Sequence, residues 1–133
     1  MAARRSDASM PREWRIMPGA RVWVGGLDVG ARRVVEELLA GAVRPPEGPI
    51  DAAFICPAAV DEAVYFAGKL RPRIGCRGAI WIVRGYVSEH DVDDHERSPS
   101  SLGLAFKAAG LDEFARVPVG DSFVAVGFRW QAV

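Results

Sequence analysis

The stretch from Asp51 to Tyr86 constrains the fold more than any other part of this chain. It reads as an apolar run, a helix and a second apolar run: Ala52-Ala53-Phe54-Ile55-Cys56, then Pro57 to Leu70, then Ala79-Ile80-Trp81-Ile82-Val83. Neither run alternates with polar residues, so both faces of each strand are expected to be buried, as in a parallel sheet covered by helices. This is a βαβ unit. Pro57 is expected to end the first strand and to stand in the first turn of the helix, and Val60, Val64, Ala67 and Leu70 to form its buried stripe. Pro72 and Gly75 close the helix, and Gly78 precedes the second strand.

The flanks extend this architecture. After the Pro18-Gly19 turn, Arg21-Val22-Trp23-Val24 is a short buried strand that ends at Gly25-Gly26. A helix is expected from about 29 to 40, with Val34, Val35, Leu38 and Leu39 on one face and Arg32, Arg33, Glu36 and Glu37 on the other. Asp28 is placed to cap its first turn and Gly41 to stop it. The segment 42–49 holds Pro45, Pro46, Gly48 and Pro49; it is a connection with at most a very short strand near Val43. Residues 86–98 are the most polar stretch and read as an exposed loop. Ser98 as N-cap and Pro99 at the first helical position then begin a helix with Leu102, Ala105, Phe106 and Ala109 facing inward, ended by Gly110. The chain closes with a hairpin: Phe114 to Val119, a Gly120-Asp121 turn, and Ser122 to Trp130. Val124, Val126, Phe128 and Trp130 share one face, opposite Phe123, Ala125 and Gly127. Pro118 cannot donate to a ladder, which puts the first hairpin strand at the sheet edge.

The expected fold class is therefore α/β: a three-layer sandwich around a small, mostly parallel sheet, with a C-terminal antiparallel hairpin. The expected strand order is 21–24, 51–56, 79–84, 122–130, 114–118, with right-handed crossovers. At 133 residues, half of them hydrophobic, the chain suffices for one domain with its own core. That domain is read as 14–133, behind a polar tail, 1–13, that lacks periodicity and reads as disordered. The sequence leaves the start open between Met1 and Met10.

Charge and composition exclude some classes. Lys plus Arg equals Asp plus Glu at 17 each. A balanced chain argues against a dedicated nucleic-acid or anionic-membrane binder, and it carries little repulsion against self-association. Apolar runs fall short of the ~18 residues that span a bilayer. The first ten residues show no signal-peptide pattern, so a cytoplasmic protein is expected, with Cys56 and Cys76 as reduced core thiols.

The element order, βα with a Gly-rich turn, then βαβα, then a hairpin, resembles a shortened class I (Rossmann-like) S-adenosylmethionine-dependent methyltransferase over about Pro18 to Trp130. More narrowly, the chain is similar to a small bacterial domain family of unknown function. The matching pieces are Met17-Pro18-Gly19-Ala20-Arg21-Val22-Trp23-Val24, the strand end Ile55-Cys56-Pro57, the run from Leu70-Arg71-Pro72 to Gly78-Ala79-Ile80-Trp81-Ile82-Val83, and Ala109-Gly110-Leu111 to Phe128-Arg129. The methyltransferase resemblance implies a cofactor turn of the pattern acidic-x-Gly-x-Gly-x-Gly. The corresponding stretch is Val24-Gly25-Gly26-Leu27-Asp28-Val29-Gly30, with Val24 where the acidic residue belongs. The family's ribose-binding acidic residue ends its second strand; here that position falls in Arg44-Pro45-Pro46-Glu47. Amino-methylating members follow the central strand with Asn or Asp, Pro-Pro and an aromatic; this chain has Cys56-Pro57-Ala58-Ala59.

Several groups are candidate sites. Gly25, Gly26, Asp28 and Gly30 form the candidate cofactor turn at the carboxyl end of the first strand, where open α/β sheets bind ligands. The same glycines also serve a tight strand-to-helix turn. His90, Asp93 and His95, with Asp94 and Glu96, are suitable metal-ligand types in a spacing that matches no established motif. Cys56 ends a central strand; nucleophilic work would need a histidine or a lowered pKa. Trp23 and Trp81 read as core, and Trp14 and Trp130 as covers of the sheet. Arg71, Arg73, Arg77 and Arg84 read as solvated surface. The function expected from this pattern is a non-catalytic, degenerate methyltransferase-like domain, a binding or assembly module that takes no cofactor and pairs with itself or a partner protein. The alternative is a reduced S-adenosylmethionine-dependent methyltransferase or a nucleotide-binding protein; a weaker one is a metal enzyme using the 90–96 loop.

Overall fold

The computed structural model describes residues 10–85 and 101–131. The polar loop after Gly85, including His90, Asp93, Asp94, His95 and Glu96, and the Ser98-Pro99 helix start lie outside the described residues. Among the described residues five strands form one sheet: β1 (Val22–Gly25), β2 (Ile50–Ile55), β3 (Ile74–Gly85), β4 (Leu111–Val119) and β5 (Phe123–Trp130). Their order is β1-β2-β3-β5-β4, as the sequence predicts. β1, β2 and β3 run parallel; β5 is antiparallel to β3, and β4 to β5.

Three described α-helices cover the sheet: α1 (Val29–Leu38), α2 (Val60–Leu70) and α3 (Ser101–Ala108). Alternation along the strands sorts the core into two layers. Val22, Ala52, Phe54, Trp81, Val83 and Ala125 face α1 and Trp14. Ala53, Ile55, Ile80, Ile82, Val126 and Phe128 face α2 and α3.

Why α1 and α2 lie on opposite faces follows from one backbone bridge. Arg21 pairs in parallel with Val43, on the side of β1 away from β2. Val22 N–H donates to the Val43 carbonyl, and Val43 N–H to that of Ala20, each at 2.8 Å. The chain thus leaves β1 through α1 in one direction, and leaves β2 through α2 in the other. Right-handed crossovers that run in opposite directions place their helices on opposite faces. Val43 is the short strand that the sequence allows for, reduced to a single bridge. The crevice between β1 and β2 is the topological switch point.

Among the described residues α1 is the one helix on the first layer, and Trp14 packs beside it. A single 3-10 turn, Arg12–Trp14, buries the indole against Phe54 (ring centroids 4.6 Å apart) and Trp81 (6.2 Å). Met10 packs against the same layer. The last residues of the expected disordered tail, Met10 to Glu13, are therefore built into the fold. In the second layer Phe106 of α3 meets Phe128 of β5 at 4.6 Å.

The helices differ from expectation in detail. α2 starts at Val60, three residues after Pro57, because the preceding Ala59 is extended (φ −153°, ψ 163°). Ala63, Ala67 and Leu70 make its buried line, while Val60 and Val64 sit half-buried beside it. In α1 the buried line is Ala31, Val35 and Leu39, with Val34 and Leu38 at its margin. Asp28 caps α1 as the sequence predicts, its Oδ1 accepting from Ala31 N–H at 3.1 Å. In α3 Leu102 and Phe106 are buried, and Ala109 is exposed because the helix stops at Ala108.

Candidate functional site

The switch-point crevice is framed by two turns, Gly25–Asp28 after β1 and Cys56–Ala59 after β2. Both are tied down by their own backbone. Cys56 N–H donates to the Gly25 carbonyl at 2.7 Å, and Asp28 N–H to the Cys56 carbonyl at 3.0 Å. Gly26 sits at φ +123°, and a Cβ there would collide with the Cys56 carbonyl. Glycine is thus required at 26 by the neighbouring strand end, which has to come this close for the two bonds to form. The Gly26 carbonyl in turn accepts from Arg32 Nη1 at 3.1 Å.

Glu62 spans the crevice. One carboxylate oxygen accepts from Leu27 N–H, the other from Ala58 N–H, each at 2.7 Å. Glu62 is the third residue of α2, the position from which a glutamate reaches back to the start of its helix. Here it also reaches across to the other turn. Two backbone N–H groups at this edge are thus bonded to an anion of the chain itself. Sequence reasoning did not single out Glu62; its signal was the Asp61-Glu62 pair in the first turn of a helix that has no side-chain cap.

The remaining predicted site residues fall around this crevice. Gly25, Gly26 and Asp28 are brought together at its β1 side. Gly30 lies in the first turn of α1, close to the Asp28 carboxylate and to the Phe123 ring of β5. Leu27 points out of the site and is 73% exposed. Trp23 lies on the other face, packed on Phe66 at 5.1 Å. Cys56 is fully buried, and its thiol is pushed up to about 12, first by burial and then by the nearby Asp28 carboxylate. A thiol held this way is protonated at neutral pH and is no nucleophile. Among the described residues no charged side chain is buried, and no group of three His, Cys, Asp or Glu is placed to hold a metal. No described helix is long and apolar enough to cross a membrane.

The arginines read as solvated surface divide. Arg73 donates to the carbonyls of Gly48 (2.7 Å) and Pro45 (3.0 Å), pinning the proline-rich connection. Arg71 lies over the Trp130 ring at 5.4 Å. Arg77 projects from β3 into a cleft at the opposite, amino edge of the sheet.

No family model matches the sequence, and no curated protein sequence matches it. Solved structures do match in shape. A protein from Sulfolobus solfataricus assigned as a type 11 methyltransferase superposes with a TM-score of 0.54 at 9% identity, over 93% of this chain and 90% of that one. The fold is that of the class I methyltransferases. DhpI, solved as a complex with SAH, gives 0.52 at 16% identity over 98% of this chain and 86% of that one. Mitomycin 7-O-methyltransferase MmcR gives 0.50 at 12% identity over 83% of this chain. The present chain spans only 41% of that enzyme's length. The Gly-rich turn lies at the carboxyl edge of the sheet, where the Gly25 and Gly26 carbonyls and the Leu27 and Asp28 N–H groups bond to Cys56, Arg32 and Glu62.

Proposed function

We propose that this is a non-catalytic domain of methyltransferase fold, cytoplasmic, that serves as a binding or assembly module and takes no cofactor in its switch-point crevice. One observation carries the reading: the Leu27 and Ala58 N–H groups, backbone donors of the two turns that frame the crevice, both end on Glu62. An incoming ligand has to displace a charge-assisted bond at each, and such bonds are among the stronger ones. Among the described residues, the raised Cys56 thiol and the hydrophobic buried side chains favour the same reading, because neither offers an acid, base or nucleophile.

The assembly half of the proposal rests on β1. Beyond the Val43 bridge no described strand covers its outer edge. Four exposed hydrophobic residues lie in the segments around it: Met17, Leu27, Val29 and Val43. An open edge flanked by apolar side chains suits a second copy of the chain, or a partner segment, added as a strand.

Calorimetry with S-adenosylmethionine tests the first half, since the fold is shared with DhpI, which was solved with SAH. The wild-type chain is expected to give no binding heat up to about 1 mM ligand, a level at which even a weak specific site registers. Glu62→Ala frees both N–H groups, and binding that surfaces only in this variant would locate the block. Micromolar binding by the wild type would overturn the proposal and return the chain to the cofactor-using methyltransferases.

A further inference from the structure

A cleft of about 890 Å³ opens at the amino edge of the parallel strands, the end opposite the Glu62 crevice. Three arginines line it: Arg15, Arg77 and Arg129. Among the described residues none of the three has a carboxylate in ion-pair range. The carboxylate in the wall, Asp51, accepts from Arg21 N–H at 2.9 Å. Three arginines against one aspartate leave the wall with a surplus of two positive charges, in a chain whose net charge is zero.

Each arginine is placed by a specific device. Arg15 ends the 3-10 turn that buries Trp14, and does so in the left-handed region (φ 54°, ψ 40°). A non-glycine residue is strained there, so the anchored Trp14 holds Arg15 in a conformation it would not choose. Arg77 stands in a bulge. The β2–β3 register passes from Ile50↔Ile74 to Ala52↔Ala79, so the added residues of β3 loop out between them. Gly78 permits this, since a Cβ there would strike the Ile74 side chain and come within 3.0 Å of the Asp51 carbonyl. Bulges of this kind re-aim a side chain. Arg129 is steadied from behind: its guanidinium lies 4.0 Å over the Phe114 ring, which meets Trp81 edge-on at 5.2 Å.

We propose that this cleft binds a phosphate-bearing small molecule of about mononucleotide size. A guanidinium is planar, stays charged and matches phosphate oxygens with two parallel donors. A dianionic phosphate neutralises the local surplus. The volume lies within the ~300–1,000 Å³ of small-molecule sites, and Trp14, Ile16 and Met17 supply an apolar wall for the rest of the ligand. The inference goes beyond the module reading. It concerns the other edge of the sheet, and it stands or falls separately from S-adenosylmethionine binding at the carboxyl edge.

The test is calorimetry on the full chain at low ionic strength with AMP, pyrophosphate and adenosine. AMP is expected to bind with a Kd of about 10–500 µM, weakening as salt is added. Arg77→Gln and Arg129→Gln are each expected to weaken it roughly tenfold or more. Both side chains are exposed, so the variants should keep the wild-type circular dichroism spectrum. Pyrophosphate binding as tightly as AMP would mean the cleft reads phosphate alone; AMP binding more tightly would mean the apolar wall takes the nucleoside. Both outcomes support the site. Failure of AMP and pyrophosphate at about 10 mM, binding unchanged in both variants, or adenosine matching AMP would each overturn it.

Discussion

At the scale of single residues, Gly26 and Cys56 carry the sharpest expectations, and they face each other. Replacing Gly26 with alanine forces a Cβ into the Cys56 carbonyl at a φ of +123°. We expect a loss of roughly 2–4 kcal/mol, read from urea unfolding; a loss under about 0.5 kcal/mol would show that the strand ends are not held together here. The Cys56 thiol binds its proton more tightly in the folded chain, with a pKa of about 12 against 9.0 when free. The folded state therefore holds more protons than the unfolded one between these values. The stabilisation from the buried thiol is intact below pH 9.0 and is lost as pH rises toward about 12, with a slope of at most ~1.4 kcal/mol per pH unit. Comparing Cys56→Ala with wild type across that range isolates it: the difference in slope should vanish below pH 9. That Gly26 is a glycine was visible in the sequence. That it serves a neighbouring strand end rather than a ligand was not, because the approach is set by residues thirty positions apart.

At the scale of elements, the Glu62 clasp joins two turns that no other described side chain bridges. Glu62→Ala should destabilise the chain by about 2 kcal/mol, since two backbone donors lose their acceptor. Glu62→Gln keeps one acceptor oxygen and should lose less; equal losses would argue that the clasp acts through charge alone. The strands and their order were legible because uninterrupted apolar runs, an Asp28 cap and a Pro118 edge are local signals. The helix faces were less so. Ala63 replaces Val60 in the buried line of α2 because the helix starts three residues later than Pro57 suggested. Glu62 and the arginine cleft were hidden for a different reason: each is assembled from segments distant in sequence, through a register jump or a reach between turns, and no periodicity marks either.

At the scale of the whole molecule, the two edges of the sheet are unequal. The β4 edge carries Asp112, Glu113 and Arg116, a register irregularity between Glu113 and Ala115, and Pro118, which has no N–H to give. These features discourage strand addition. The β1 edge carries none of them. Sedimentation at rising concentration should show self-association that Val24→Pro abolishes, because proline there removes an outward N–H from β1. A wild-type chain that stays monomeric at about 100 µM would leave partner segments as the only candidates for that edge. If copies do join, geometry limits how far they can go. Two chains that meet β1 to β1 about a twofold axis use up the one permissive edge each possesses, and both outward edges of the pair are then the blunted kind. Growth ends at two rather than running on into a fibre. A sheet with one permissive edge can thus be lengthened once, and in one direction only.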